Sequence, residues 1–262
     1  MLIRLSFHAE KKPKGKKMKL GILPAAAAFA LSFSGIAVKA EDARILVFGD
    51  SNAWGWVPVP ELVPTTRYPV DVRWPSVMQT ILGDGFVVIN DSLSGRTAAT
   101  SDENVGLGGA GPNGLEYLPA ALGSHMPLDL VVIALGTNDV KDPYGLSAED
   151  ISDDIMSLVA EVERSTGVFT SYPPAKVLVV APPPLGAIPD VDWLQATFSE
   201  TSIETSIELG GVLCDLAESK ATPCFDAASV VTIDGIDGLH MSASNHRLLG
   251  EAVAAKVLEV LQ

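Results

Sequence analysis

The chain has 262 residues, 18 Lys and Arg against 32 Asp and Glu, and a formal net charge of −14. Eight of the basic residues and one acidic residue fall within the first 40, so residues 41–262 carry 10 and 31, a net charge near −21. A surface this acidic repels polyanions, which excludes nucleic acid and anionic membrane as partners but says nothing of chemistry.

The N-terminal stretch reads as a targeting segment. Lys11, Lys12, Lys14, Lys16, Lys17 and Lys19 precede an apolar run from Leu20 to Val38, which ends in the small-x-Ala pattern Val38-Lys39-Ala40. This is the composition of a secretory signal peptide, with Met18 as an alternative start. Pro24, Ser32, Ser34 and Gly35 dilute the run, which weakens the competing reading as a transmembrane anchor, an element of about 20 apolar residues. The expectation is a secreted or periplasmic protein, with residues 1–40 a cleaved leader and 41–262 a single domain. A length of 222 residues suits one core.

After Ala40, strand-like runs alternate with amphipathic stretches. Strands are expected at 44–48, 86–90, 128–135, 176–181 and 223–225, and the β, α, β, α order predicts a parallel sheet with right-handed crossovers. Leu130 to Leu135 lacks period-2 alternation, as expected of a central strand covered on both faces. Ile151, Ile155, Leu158, Val159 and Val162 fall at helical spacing behind the capping box Ser147/Asp150. Further helices are expected within 193–217 and 242–261. Two long irregular stretches, 55–73 and 98–114, follow strand ends, the second crowded by Gly106, Gly108, Gly109, Gly111 and Gly114; both are candidates for pocket walls or subunit contacts. Cys214 and Cys224 allow a disulfide between a helix end and a strand start, although two free buried thiols fit nearly as well.

The run Ile45-Leu46-Val47-Phe48 delivers Gly49-Asp50-Ser51-Asn52 to the carboxyl edge of the sheet. Taken alone, that tetrapeptide describes a polar turn capping the next helix. Two later segments change the balance. A serine nucleophile needs a base within hydrogen-bond reach and a group that orients the base. Beyond residue 40 there are three histidines, His125, His240 and His246. His125 precedes Met126-Pro127 ahead of a strand, and His246 lies in the last helix. Only His240 sits in a loop with an acid three residues upstream, Asp237-Gly238-Leu239-His240, so Asp237 can take the Nδ1 proton and leave Nε2 for Ser51. Asp234 competes less well for the orienting role. Acyl transfer also needs oxyanion donors. The backbone N–H groups of Ser51 and Gly95 and the side-chain amide of Asn138, within Gly136-Thr137-Asn138-Asp139, all lie at strand carboxyl ends, where doubly wound sheets place their sites.

Gly49-Asp50-Ser51, Gly95, Gly136-Thr137-Asn138-Asp139 and Asp237-x-x-His240, in this order, resemble the four blocks of the SGNH hydrolases, also called GDSL esterases. Gly49-Asp-Ser-x-x-Trp-Gly-Trp-Val-Pro58, Asp71-Val-Arg-Trp74, Asn113-Gly-x-x-Tyr-Leu-Pro119, Pro127-Leu-Asp-Leu-Val131, Pro182-Pro-Pro184 and Phe225-Asp226-Ala227 are similar to the bacterial arylesterase/acyltransferase branch. The resemblance implies a three-layer α/β/α sandwich with five parallel strands, SGNH or flavodoxin-like. It implies a catalytic Ser51, Asp237 and His240 and an oxyanion hole of Ser51, Gly95 and Asn138; no cofactor or metal is expected, since the sequence carries no spaced His/Cys/Asp cluster beyond these residues. It also implies a small-molecule ester substrate, water or an alcohol as acyl acceptor, and a homo-oligomer. The sequence departs from the family at two places: the usual leucine after the serine is Asn52, and the position of Gly95 is commonly alanine. Ala53 stands where an α/β-hydrolase elbow would carry glycine, which argues against that fold. Asn52, Trp54, Ile188 and Trp193 are expected at the substrate pocket, each fitting a core or interface role as well. The same blocks also serve carbohydrate acetylesterases, thioesterases and lysophospholipases, and a non-catalytic binding protein on this fold is a further alternative.

Overall fold

The computed structural model describes residues 41–102, 105, 112–165 and 170–262. The expected leader and Gly106, Gly108, Gly109 and Gly111 of the second loop lie outside these residues.

Five strands, β1 (Ala43–Gly49), β2 (Phe86–Asn90), β3 (Leu130–Ala134), β4 (Lys176–Ala181) and β5 (Cys224–Asp226), form one sheet in the order β2-β1-β3-β4-β5. Every pairing is parallel, with Val47 beside Asn90 and Val132, and Val132 beside Leu178. The helices are α1 (Ser51–Trp54), α2 (Trp74–Leu82), α3 (Gly114–His125), α4 (Ala148–Arg164), α5 (Asp192–Gln195), α6 (Glu200–Ser219) and α7 (Ala243–Leu261).

Both faces of the sheet are covered, which explains the unbroken apolar runs. Leu46, Phe48, Val131, Ile133 and Val179 pack into a core with α3, α4 and α6. The alternate residues Ile45, Val47, Leu130, Val132 and Leu178 meet α2 and α7 on the other side. Helix α4 begins as its sequence implies: Ser147 Oγ accepts from Asp150 N at 3.2 Å, and Asp150 Oδ2 accepts from Ser147 N at 3.0 Å, a box worth about 1 kcal/mol. The β2 edge is covered by Gln79 of α2, which donates to Phe86 O at 3.0 Å and accepts from Val88 N at 2.6 Å, satisfying groups that an open edge leaves bare. Cys214 and Cys224 form a disulfide joining α6 to the start of β5; of the two cysteine states left open by spacing, this is the one present.

The strand order turns back between β1 and β3. Chains leaving these neighbouring strands pass to opposite faces of the sheet, so a crevice opens beyond their carboxyl ends. Ser51 follows β1 and Asn138 follows β3.

Candidate active site

Asp50 caps α1. Its backbone is extended (φ −100°, ψ −154°) and its Oδ1 accepts from Asn52 N at 2.9 Å. The helix therefore begins on Ser51, whose own N–H donates to no protein acceptor among the described residues. Ser51 as a residue is 5% exposed.

The base arrives from a loop almost 190 residues away. Asp237 Oδ1 accepts from Leu239 N and His240 N, both at 3.0 Å, closing a turn on itself. Gly238 takes φ +70°, and a Cβ there would stand 2.4 Å from Ala187 O, so the turn requires glycine. The remaining oxygen, Oδ2, lies 2.8 Å from His240 Nδ1, and His240 Nε2 lies 2.8 Å from Ser51 Oγ. With Nδ1 protonated toward the carboxylate, Nε2 is the acceptor for the Ser51 hydroxyl. Burial pushes the Asp237 carboxyl up, but the hydrogen bond and charge of His240 and the two backbone donors outweigh it and hold the group below the usual carboxylate range. Asp237 stays ionised, as an imidazolium partner must.

The other histidines and the competing acid have different work. Asp234 accepts from Ser242 N at 2.7 Å and from Ser242 Oγ at 2.6 Å, bracing the start of α7. His246 is buried in α7, edge-on to Tyr68 with ring centroids 5.2 Å apart. His125 reaches Asp91 at 3.4 Å.

Opposite the triad stand the remaining candidate donors. Gly95 adopts φ +82°, and a Cβ on it would approach Val105 Cγ1 to 2.5 Å, which accounts for glycine where the family commonly has alanine. Its N–H, like that of Ser51, donates to no protein acceptor among the described residues. Asn138 Nδ2 donates to Arg96 O at 3.2 Å, which orients the amide and leaves its second proton free. Arg96 is 2% exposed, lies over the Phe48 ring at 4.0 Å and donates to Gly49 O at 3.3 Å and Asp91 O at 2.5 Å. The turn that carries Gly95 is thereby tied to the end of β1, just before Ser51.

These groups open into a cavity of about 850 Å³, to which Ser51, Gly95, Asn138 and His240 contribute directly. Trp56, Leu62, Val105, Trp193, Phe198 and Leu239 make its apolar wall, while Ser101, Asp102, Lys141 and Tyr144 supply a polar one. Of the residues expected at the pocket, Trp193 lines it, from α5. Three do not, and these expectations are corrected. Asn52 turns toward the His240 loop and binds its backbone. Trp54 faces Arg67, whose guanidinium carbon lies 4.7 Å from its ring. Ile188 packs against the core, its backbone beside Gly238. Residues not anticipated are Trp56, stacked on His240, and the pair Lys141 and Tyr144. Trp56 lies within Trp54-Gly55-Trp56, where positive φ at Gly55 (+97°) turns the chain back over the site.

Three ionisable side chains are buried in or beneath this wall. Burial pushes the Asp139 carboxyl up to about 7 despite the donation from Ala98 N to its Oδ1 at 2.7 Å. Burial also raises Asp50, and it lowers the Lys141 ammonium in spite of attraction from Asp102 and Asp139. Among the described residues, no group of three or more His, Cys, Asp or Glu side chains is arranged to hold a metal ion, and no helix is long and apolar enough to cross a membrane.

A serine, a histidine and an aspartate hydrogen-bonded in series at the switch point of a doubly wound sheet are the arrangement of a serine hydrolase of the flavodoxin-like, three-layer class. Residues 47–248 match the model of the GDSL-like lipase/acylhydrolase family. The chain belongs to that family, the SGNH hydrolases, and is a carboxylic ester hydrolase. Among solved structures it is similar to Est24, a carbohydrate acetylesterase from Sinorhizobium meliloti, with 45% identity, TM-score 0.79, and 83% of this chain and 99% of that chain covered. The aryl esterase of M. smegmatis is similar at 44% identity, TM-score 0.79, covering the same 83% and 99%. A second carbohydrate acetylesterase family member from S. meliloti has 33% identity, TM-score 0.75, and covers 84% and 99%. No curated protein sequence matches the chain.

Proposed function

We propose that the protein hydrolyses short-chain acyl esters of aryl and alkyl alcohols through an acyl-enzyme on Ser51. The observation that carries this reading is the unbroken relay from Asp237 Oδ2 through His240 to Ser51 Oγ, both links at 2.8 Å. Ser51 Oγ attacks the ester carbonyl while His240 Nε2 takes its proton. The oxyanion sits against the Ser51 and Gly95 N–H groups and the Asn138 amide, donors worth about 3 kcal/mol each in such a site. His240 then protonates the leaving alcohol, and water, activated by the same nitrogen, releases the acid. An alcohol in place of water gives acyl transfer. The apolar wall of Trp56, Phe198 and Trp193 favours both an aryl leaving group and an alcohol acceptor.

Similarity to a carbohydrate acetylesterase at 45% identity supports a second reading, deacetylation of a sugar, in which Ser101, Asp102, Lys141 and Tyr144 would meet hydroxyl groups. On the signal-peptide pattern of residues 1–40 we further place the protein outside the cytoplasm, and on the family resemblance we assign it a homo-oligomeric state, which sedimentation of the processed chain would test.

The function is tested by comparing wild type with Ser51→Ala on p-nitrophenyl acetate, aryl esters of longer acyl chains and acetylated sugars. Hydrolysis of short aryl esters that vanishes in Ser51→Ala is expected. Turnover confined to acetylated sugars would favour the second reading, and activity retained by Ser51→Ala would exclude both.

A further inference from the structure

Asn52 directly follows the nucleophile, yet it does not share the nucleophile's surroundings. Successive helical side chains diverge by about 100°, so while Ser51 faces the cavity, Asn52 turns toward the loop that carries the base. Its Nδ2 donates to Leu239 O at 3.1 Å, and its Oδ1 accepts from Met241 N at 3.2 Å. These are the two residues flanking His240. One amide thus grips the backbone on both sides of the imidazole, from a buried residue.

The other hydrogen bonds of this loop run within it, through Asp237 and from Gly235 N to His240 O, or to the segment after β4, from Gly186 N to Gly238 O. Among the described residues, only Asn52 and the Ser51–His240 contact itself join the loop to α1 by hydrogen bonds. Asp237 and the stacked Trp56 ring orient the imidazole, but the contact with the reacting serine changes as the proton moves, whereas the two backbone bonds from Asn52 do not. We infer that Asn52 is a positioning residue: it sets the distance between His240 and Ser51 independently of the proton held between them. The inference rests on the reading of Ser51 and His240 as nucleophile and base.

Leucine, the usual residue here in the family, has a similar volume but no polar group. At position 52 it leaves Leu239 O and Met241 N without the Asn52 partners, buried polar groups that the loop relieves by moving. Aspartate keeps an acceptor for Met241 N but sets a second oxygen against Leu239 O. Both substitutions release the base from its register, and a misplacement of about 1 Å costs on the order of 100-fold in rate.

The test compares the full chain with N52L and N52D, each first shown by thermal melting to be folded at the assay temperature. Two readouts are taken: kcat and KM on p-nitrophenyl acetate, and the downfield proton resonance of His240 Nδ1–H, assigned by its loss in His240→Ala. The expected result is a kcat about 10- to 100-fold lower with KM within about twofold, together with displacement or exchange broadening of the resonance. A resonance unchanged in both folded variants overturns the inference, as does a kcat within about twofold of wild type. A merely structural role would lower the melting temperature and move neither. Should the wild type hydrolyse no ester, the esterase reading fails, while the resonance still decides whether Asn52 positions His240.

Discussion

The imidazole of His240 lies flat against the indole of Trp56, with ring centroids 5.0 Å apart and planes 13° from parallel. The ring faces a π surface on one side while its two nitrogens are held by Asp237 and Ser51. When His240 takes the serine proton, the new positive charge spreads over a ring already stacked on that surface, a contact worth about 0.5–2 kcal/mol. Trp56→Leu is therefore expected to lower kcat/KM by about 3- to 30-fold, and Trp56→Phe to retain most of the activity. Steady-state kinetics on p-nitrophenyl acetate checks both.

Arg96 serves the site without reaching it. Its side chain ties the Gly95 turn to Gly49 and Asp91, and its carbonyl orients Asn138. Arg96→Met keeps much of the packing on Phe48 but removes the charged donors, each worth about 1.5–3 kcal/mol. The expected outcome is a loss of about 3 kcal/mol of stability in urea unfolding and, at temperatures where the variant is folded, a kcat that falls more than KM rises, because the oxyanion donors lose their register.

Two buried groups pull the pH dependence of stability in opposite directions. Asp139 titrates near 7 in the folded protein against 3.8 as its ordinary value, so its contribution is full below about pH 4 and is lost as pH rises to about 7. Burial lowers His246 from 6.5 to about 4, so its contribution is full above 6.5 and is lost as pH falls to about 4. Over the shared window the two slopes offset. Asp139→Asn, which keeps an acceptor for Ala98 N, is expected to gain on wild type between pH 4 and 7 and then hold that advantage. His246→Asn is expected to gain on wild type as pH falls through the same range, by on the order of 3 kcal/mol. Melting temperatures from pH 4 to 9 for the three proteins check the signs.

The disulfide closes a short loop, Cys214 and Cys224 being 10 residues apart in sequence. A loop of this length gains about 3 kcal/mol from restricting the unfolded chain. The double variant Cys214→Ser, Cys224→Ser is expected to melt roughly 6–12 °C lower, with kcat unchanged, since neither cysteine lines the cavity. Calorimetry and ester kinetics on the same preparation check the two halves.

Much of this was legible in the chain because the relevant signals are local. The apolar runs of β1 and β3, the capping box of α4 and the Asp237-Gly238-Leu239-His240 turn each depend on residues close in sequence, so propensity and spacing suffice to read them. Gly238, with its positive φ, belongs to that turn. The pocket wall was less legible because it depends on where side chains point. Asn52 and Trp54 are neighbours of Ser51 in sequence, yet the curl of α1 turns one to the His240 loop and the other to Arg67. Trp56 reaches the cavity because the chain bends at Gly55 and pairs at Arg67, a turn that no periodicity announces. The state of the cysteines likewise depends on how α6 meets β5, which composition cannot express.

In the proposed mechanism Ser51 is a nucleophile activated by His240. This activation is tested most directly by treating the protein with a fluorophosphonate and mapping the adduct by peptide mass. One adduct is expected, on the peptide containing Ser51, forming rapidly in the wild type and at least about 100-fold more slowly in His240→Ala. An adduct on another residue, or labelling of Ser51 at the same rate without His240, would contradict it.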